Sequence, residues 1–269
     1  MGAEYRPIAF WFINHFLIEE ELRRQVGEMG DKGFGGVMFH GRDGLRSDYL
    51  GREWEEALRW VVDEAEGREM SVWLYDELHF PSGPVGNALL RDFPNRSMMS
   101  LTIFREECVA PGKRVDWPLP ADVSLRYALT FTLDGDVRSL DLQQGCSSFQ
   151  WRNDSDLPQT LLLLRVTRER PNPAQYFPYY PDYLDAEVSK AFVDMTYKWY
   201  AERFKAHMGS TIKGVFTDNS CFNFGLIRRS VAWSPELAER FKAETGREFV
   251  DVLPRLFHRV KGFEGTRQV

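Results

Sequence analysis

Short apolar runs recur along the chain, and each of them ends on polar side chains. The clearest runs cover residues 8–14, 36–40, 72–77 and 212–219. Amphipathic stretches with helical spacing lie between the first three runs and before the fourth. This alternation is typical of parallel β-strands that are connected by helices. The sequence therefore predicts an α/β fold made of parallel βα units.

Helical periodicity identifies the residues that the connecting helices are predicted to bury. In the first helix these are Ile18, Leu22, Val26 and Met29, and in the second they are Trp54, Leu58, Val61, Val62 and Ala65. A third helix over residues 185–208 is predicted to direct Val188, Phe192, Met195, Trp199 and Phe204 inward. Ser234-Pro235-Glu236 joins a capping serine to a proline suited to the first helical position, so it predicts a further helix start.

Residues 100–170 follow a different pattern. Alternation with period two, as in Tyr127, Leu129 and Phe131, predicts antiparallel strands, and Asp134-Gly135 predicts a hairpin turn. We therefore expect three parts: residues 1–99 with the first three βα units, residues 100–170 as a small antiparallel β insertion, and residues 171–269 with the fourth strand and the C-terminal helices.

The predicted parallel strands are half of those in a TIM barrel. The expected fold is thus TIM-barrel-like, a half or incomplete barrel carrying an antiparallel β insertion. Such a sheet leaves edge strands without partners. A homodimer that completes the barrel, a longer chain of which this is a piece, or an open doubly wound sheet would each account for this, and the homodimer is the simplest partner.

Composition excludes several classes of protein. The hydrophobic content of 43% suits a large core, and the net charge of -6, with basic residues scattered among acidic ones, disfavours nucleic acid as a partner. No apolar run is long enough to cross a bilayer and no export signal opens the sequence, so we expect a cytoplasmic protein without membrane association.

Cys108, Cys146 and Cys221 lack the spacing of a zinc or redox motif. No glycine pattern of a dinucleotide site follows the first strand, and no cofactor is expected.

Polar side chains at the ends of the predicted parallel strands define a candidate site, because such ends form the ligand-binding face of these sheets. The candidate catalytic residues are the carboxylates Asp76, Glu77 and Asp218. Polar and aromatic side chains nearby are candidates for substrate binding, the aromatic ones by stacking on sugar rings: Asn14, His40, Arg42, Phe80, Asn219, Tyr179 and Tyr180.

Each candidate also has a structural interpretation. Asp76 and Glu77 are neighbours on a strand, so only one of them should face a common pocket unless the strand has turned. Either carboxylate could instead support the loop Pro81-Ser82-Gly83, and His40 could hydrogen-bond a neighbouring strand. A metal site of Asp76, Glu77 and Asp218 is conceivable because hard cations take oxygen ligands, but no dense acidic loop supports it. No metal is therefore expected.

Several segments, taken in order, resemble the catalytic (β/α)₈ domain of large bacterial glycoside hydrolases of the α-L-rhamnosidase-like type. These segments are RPIAFWFIN, GFGGVMFHGRDGL, SVWLYDELHFPSG, YYPDYLDAEVSKAFVDMTYKWYAERF, IKGVFTDNS and WSPELAERFKAETG. The resemblance implies that the chain corresponds to the N-terminal half of the barrel and acts on O-glycosidic substrates. In the family the fourth strand ends in Thr-Asp-Glu-Pro, whose glutamate is a plausible acid/base, whereas this chain has Thr217-Asp218-Asn219-Ser220.

The substitution at Asn219 leaves two functional interpretations open. An amide cannot donate a proton to a leaving glycosidic oxygen. The chain is therefore expected to be a glycoside-hydrolase-type protein that hydrolyses or binds carbohydrate through Asp76, Glu77 and Asp218. The alternative is a non-catalytic sugar-binding or assembly module derived from a glycosidase barrel.

Overall fold

The structure, a computed structural model, describes residues 5–143, 145–168, 179–220 and 230–260. Within these ranges the fold is mixed α/β, with one parallel sheet and separate antiparallel sheets. The predicted combination of parallel βα units with antiparallel strands is confirmed at this level. Cys221, which the sequence analysis considered, lies outside the described residues.

The strands and helices are numbered separately along the chain. The strands are β1 (Ile8–Ile13), β2 (Gly36–Gly41), β3 (Ser71–Leu78), β4 (Met99–Val109), β5 (Arg114–Pro118), β6 (Leu125–Phe131), β7 (Val137–Leu140), β8 (Ser148–Arg152), β9 (Gln159–Arg168), β10 (Ile212–Phe216) and β11 (Ser230–Trp233). The α-helices are α1 (Glu19–Asp31), α2 (Arg52–Gly67), α3 (Ala88–Asp92), α4 (Ala186–Val193), α5 (Trp199–Arg203), α6 (Leu237–Thr245) and α7 (Leu253–Phe257).

The chain divides into two compact units. The first consists of Met1–Ser97 and Asn172–Cys221, and the second of Met98–Pro171 and Phe222–Val269. The parallel sheet belongs to the first unit and the antiparallel strands belong to the second. Each unit therefore consists of two stretches that are separated along the sequence.

The sheet of the first unit is four-stranded and parallel, with the order β1-β2-β3-β10. One face packs against α1 and α2 and contributes Val37, Phe39, Val72 and Leu74 to a buried core. The other face is rich in aromatic side chains and is open to solvent at β1, where Phe10 is 49% exposed. Because the four strands are parallel, their C-terminal ends all lie on the same side of the sheet.

The helical periodicity predicted the buried faces of α1 and α2 well. All five predicted α2 residues are buried, as are Leu22 and Val26 of α1. Ile18 differs, because it precedes α1 as its N-cap residue and is half-exposed. The apolar stripe therefore begins one turn later than predicted.

The predicted third helix is interrupted. Asp185 caps α4 by accepting hydrogen bonds from the backbone amides of Glu187 and Val188. After α4 the chain forms a π-helical segment, Asp194–Lys198, before α5 resumes. Because a π turn contains an extra residue, it rotates the side chains that follow relative to an uninterrupted α-helix.

The second unit is built around an antiparallel sheet with the order β11-β4-β9-β6-β7, and β5 pairs with β8 in a separate ladder. The predicted hairpin at Asp134-Gly135 is confirmed, since Phe131 of β6 pairs with Val137 of β7. The strand β11 pairs with β4, and the C-terminal Phe249, Val252 and Leu253 join the core of this sheet. The helix predicted to start at Ser234 begins instead as α6 at Leu237, after a turn.

No helix in the described part of the chain combines the length and the apolar character that crossing a membrane requires.

Candidate functional site

The end of β3 departs from regular pairing with β2. Phe39 pairs with Leu74, but Gly41 pairs with Leu78, so the residues Tyr75, Asp76 and Glu77 lie opposite His40 alone. Such a bulge breaks the strict alternation of side chains along a strand. Both carboxylates are consequently fully buried, although they are neighbours in sequence, and each has different partners.

Glu77 holds the loop that follows β3. Its carboxylate accepts hydrogen bonds from the backbone amides of Leu78 (2.8 Å), Gly83 (2.9 Å), Val85 (2.6 Å) and Gly86 (2.5 Å). Burial raises the pKa of Glu77 to about 8, and these amide donors oppose the rise because they favour the charged form. With both oxygens engaged by the backbone, the geometry matches the loop-supporting interpretation of this residue.

Asp76 lies at the centre of a cluster of hydroxyl groups. Its Oδ1 accepts a hydrogen bond from Ser82 Oγ at 2.5 Å, and its Oδ2 lies 2.7 Å from Tyr197 Oη and 2.6 Å from Thr217 Oγ1. Burial raises the pKa of Asp76, while its hydrogen bonds with Ser82, Thr217 and Tyr197 act in the opposite direction. The carboxyl group thus contacts hydroxyl groups from three separate segments of the first unit.

Asp218, at the end of the neighbouring strand β10, is half-buried and belongs to the same cluster. Its Oδ2 accepts a hydrogen bond from Tyr75 Oη at 2.9 Å. Its backbone amide donates to Ser82 Oγ at 2.8 Å, and the amide of Ser82 donates back to the carbonyl of Asp218 at 2.9 Å. Ser82 therefore links the Asp76 carboxylate to the backbone of Asp218, whose own carboxylate accepts from Tyr75.

Asn219 has a conformational reason to be asparagine. Its φ is +54°, which is the left-handed region, and its side chain is exposed beside Asp218. Asparagine is several-fold enriched in that region because its short polar side chain tolerates it. The backbone at the end of β10 thus favours an amide at the position where the resembling family has glutamate.

His40 is buried beneath aromatic rings. It stacks on Tyr75, with ring centroids 3.4 Å apart, and on Phe10 at 5.2 Å. Its Nε2 donates a hydrogen bond to the carbonyl of His79 at 2.8 Å, and burial lowers its pKa to about 3. His40 is therefore a neutral member of the packing. Arg42 lies over the ring of Phe12, 4.7 Å from its centroid.

The remaining substrate-binding candidates occupy different places. Tyr180 is buried, and its hydroxyl donates a short hydrogen bond to the carbonyl of Ser82, so it stabilises the loop. Phe80 and Tyr179 are half-buried. Asn14 is exposed after β1, at the opposite edge of the sheet from β10. Of the predicted polar residues, the structure links Asp76 to the backbone of Asp218 through Ser82, whereas Asn14 follows the strand at the other edge of the sheet.

Sequence analysis did not identify the hydroxyl groups around Asp76 as site residues. Thr217 and Ser82 were visible as neighbours of predicted site residues. Tyr75 was visible only as a strand residue, because nothing in the pattern predicts that its hydroxyl reaches Asp218. Nothing in the sequence pattern predicted a role for Tyr197, because hydrophobic periodicity does not predict the π-helical segment that contains it.

No metal centre is evident in the described residues, since they contain no group of three or more His, Cys, Asp or Glu side chains that could hold an ion.

Comparison with known proteins bears on the fold. No protein-family model matches the chain, and no curated protein matches it. Among solved structures, a rhamnosidase from Novosphingobium sp. PP1Y is similar, with a TM-score of 0.51 at 13% sequence identity over 95% of this chain. The chain spans 42% of the length of that rhamnosidase chain. A likeness at this level of identity concerns the fold alone, and it indicates a fold distantly similar to part of that rhamnosidase chain.

Proposed function

We propose that this chain is a glycoside-hydrolase-type protein that binds an O-glycosidic substrate at the ends of the parallel strands and hydrolyses it. The observation that carries the proposal is the link from the Asp76 carboxylate through the Ser82 hydroxyl to the backbone amide of Asp218, which joins the ends of two adjacent strands that each carry a carboxyl group. Two carboxyl groups in different environments are what most glycosidases use as acid and as base or nucleophile. The fold shared with a rhamnosidase supports the same reaction class.

The environments of the two carboxyl groups suggest a division of roles. Asp76 is fully buried and its pKa is raised, so it is the better proton donor. Asp218 is half-buried and accepts a hydrogen bond from Tyr75, so its carboxylate is the better acceptor of a proton from water. In hydrolysis, the bond from the anomeric carbon to the leaving oxygen breaks, its electron pair stays on that oxygen, and a proton from the acid neutralises it. Water forms the new bond to the anomeric carbon and gives a proton to Asp218.

A second candidate function is sugar binding without hydrolysis, in a module derived from a glycosidase barrel. The specific observation in its favour is the exposed amide of Asn219 at the position where the resembling family has a carboxyl group. In this version Asp218 and Asn219 would hold sugar hydroxyls, and Asp76 would support the loop around Ser82. Calorimetry with glycans distinguishes the two functions, because the module should bind sugars that it leaves intact.

A screen of aryl glycosides tests the proposed hydrolysis. The chain should release the aryl alcohol from at least one sugar, and Asp218→Asn should reduce that turnover by at least about 100-fold, because it removes the base while keeping the side-chain shape. Asp92→Asn is the matched control, since Asp92 is exposed at the end of α3. Turnover by Asp218→Asn equal to that of the control variant would contradict the role of Asp218, and no turnover by the wild type would contradict hydrolysis.

We also propose that a second copy of the chain completes the parallel sheet. The strands β1 and β10 are its edges and run in the same direction, so β1 of one copy can extend the sheet beyond β10 of the other. The open face carries exposed Phe10, Phe12 and Phe216, which a partner would cover. Light scattering should give twice the chain mass of 31.3 kDa. Phe12→Asp should shift the protein toward the single-chain mass, whereas a wild type of single-chain mass at micromolar concentration would contradict this arrangement.

A further inference from the structure

The proposed acid has no direct path to a substrate. Asp76 is fully buried, whereas Tyr197 is half-buried and Thr217 is exposed. The contact between the hydroxyls of Tyr197 and Thr217 is itself exposed, and both hydroxyls touch Asp76 Oδ2. A proton that leaves Asp76 for a ligand in the site therefore has to pass through one of these hydroxyl groups.

The three oxygens form a closed ring that needs a third hydrogen. Tyr197 Oη and Thr217 Oγ1 are 2.6 Å apart, and they lie 2.7 Å and 2.6 Å from Asp76 Oδ2. The two hydroxyl groups supply only two hydrogens for three contacts. A proton on Asp76 Oδ2 supplies the third, so that each oxygen donates one hydrogen bond and accepts another. The other carboxyl oxygen then remains an acceptor for Ser82.

The surroundings of Asp76 are consistent with a protonated carboxyl group. The titratable groups of the described residues that face it are phenols and carboxyls from its own strand, from the loop after β2, from the loop before α4 and from the interrupted helix: Tyr49, Tyr75, Glu77, Tyr183, Tyr197 and Tyr200. The carboxylate of Asp218 accepts a hydrogen bond from Tyr75, one of these phenols. Burial raises the pKa of Asp76, as expected for a carboxyl group among such neighbours.

The π-helical segment explains how Tyr197 reaches this position. Thr196 donates a hydrogen bond from its hydroxyl to the carbonyl of Phe192 at 2.7 Å, and the ring of Tyr197 packs edge-on against Phe192. One extra residue in a turn rotates the following side chains by roughly 100°. Tyr200, one turn later, donates to the carbonyl of Tyr75 at 3.3 Å, so the interrupted helix presents both phenols to the end of β3.

From this geometry we propose that Tyr197 is a catalytic residue that relays the proton of Asp76 to the leaving oxygen of the substrate. The inference rests on the proposed hydrolysis. As the glycosidic bond breaks, its electron pair stays on the leaving oxygen, which takes the phenolic proton of Tyr197. The phenol oxygen takes the proton of Asp76 in the same step, so Tyr197 ends the step neutral and Asp76 ends it as a carboxylate. Solvent then returns a proton to Asp76.

The dependence on the leaving group tests the relay. The dinitrophenolate of a dinitrophenyl glycoside leaves without being protonated, whereas the methoxy group of a methyl glycoside of the same sugar must be protonated to leave. Tyr197→Phe should lower kcat/KM for the methyl glycoside by at least about 100-fold and leave the dinitrophenyl glycoside nearly unchanged. Tyr5→Phe is the matched control, because Tyr5 is exposed. A merely structural role of Tyr197 would lower both rates together, and that result would overturn the proposal.

Two further results distinguish the relay from the hydrolysis on which it rests. If Thr217→Val shows the leaving-group-dependent loss and Tyr197→Phe does not, Tyr197 is not the relay while the hydrolase stands. If the wild type hydrolyses no glycoside, hydrolysis and relay both fail.

The proton on Asp76 can be measured without any substrate. Carbon-13 NMR of labelled aspartate carboxyls, with the Asp76 signal assigned by its loss in Asp76→Asn, should give a titration midpoint above the ordinary value of 3.8. A midpoint at or below 3.8 would leave the ring without its third hydrogen and overturn the proposal. This measurement applies equally if Tyr197→Phe is too unstable for kinetics.

Discussion

Replacing Glu77 with alanine is expected to lower the free energy of unfolding of the first unit by about 3 to 5 kcal/mol. The change would remove the acceptor of the backbone amides of Gly83, Val85 and Gly86 in a buried place. Each amide would have to find water or remain without a partner, and an unsatisfied buried donor costs about 1 to 3 kcal/mol. Urea denaturation followed by circular dichroism measures the loss.

Two comparison variants make this result specific to Glu77. Glu20→Ala removes an exposed carboxylate from α1 and should change stability by less than about 0.5 kcal/mol. Glu77→Gln keeps one acceptor oxygen and should lie between alanine and the wild type. If Glu77→Ala were as stable as Glu20→Ala, the carboxylate would not be holding the loop after β3, and a direct role in chemistry would become the better explanation for its burial.

Asp76→Asn should reduce hydrolysis of a poor leaving group by about 100-fold or more while the protein stays folded. Asparagine has the shape of aspartate and keeps an oxygen that can accept from Ser82 or Thr217, but it cannot supply a proton. The rate of the wild type on such substrates should fall as the pH rises through the pKa of Asp76, because only the protonated form donates. Initial rates across a pH series, with Asp92→Asn as the control, measure both effects.

The pH dependence of the free energy of unfolding gives an independent test of the raised pKa of Asp76, and its direction follows from that rise. Because the pKa of Asp76 is raised above its ordinary value of 3.8, the folded state holds this proton more tightly than the unfolded state does. The associated stabilisation is complete at low pH and is lost as the pH rises from about 3.8 through the raised value. Asp76→Asn should lack this part of the pH dependence. Identical stability profiles for the variant and the wild type would mean that Asp76 is ionised normally in the folded protein.

Glu77→Ala and Asp76→Asn change adjacent residues, yet they are expected to have different effects. The structure assigns the Asp76 carboxyl to hydroxyl groups and the Glu77 carboxyl to backbone amides. Asp76→Asn should therefore lose turnover while it stays folded, whereas Glu77→Ala should lose stability. Sequence reasoning treated the two residues alike, as carboxylates at one strand end, because alternation along a strand does not predict a bulge.

What the sequence by itself determined is the local architecture of the first unit. Apolar runs and helical periodicity are properties of consecutive residues, so they predicted β1, β2, β3 and β10 and the buried face of α2. They also predicted that polar strand ends meet at one edge of a parallel sheet, which brought Asp76 and Asp218 to attention. The hairpin turn at Asp134-Gly135 is equally local and was predicted for the same reason.

Only the tertiary structure decided which partners those polar groups have. Tyr197 is 121 residues from Asp76 and Thr217 is 141 residues from it, and a π-helical segment and a bulge set the directions of their side chains. Likewise, β11 pairs with β4, more than a hundred residues earlier in the chain. Hydrogen bonds and packing between distant segments depend on where the whole chain places them. Periodicity within a short window carries no information about that placement.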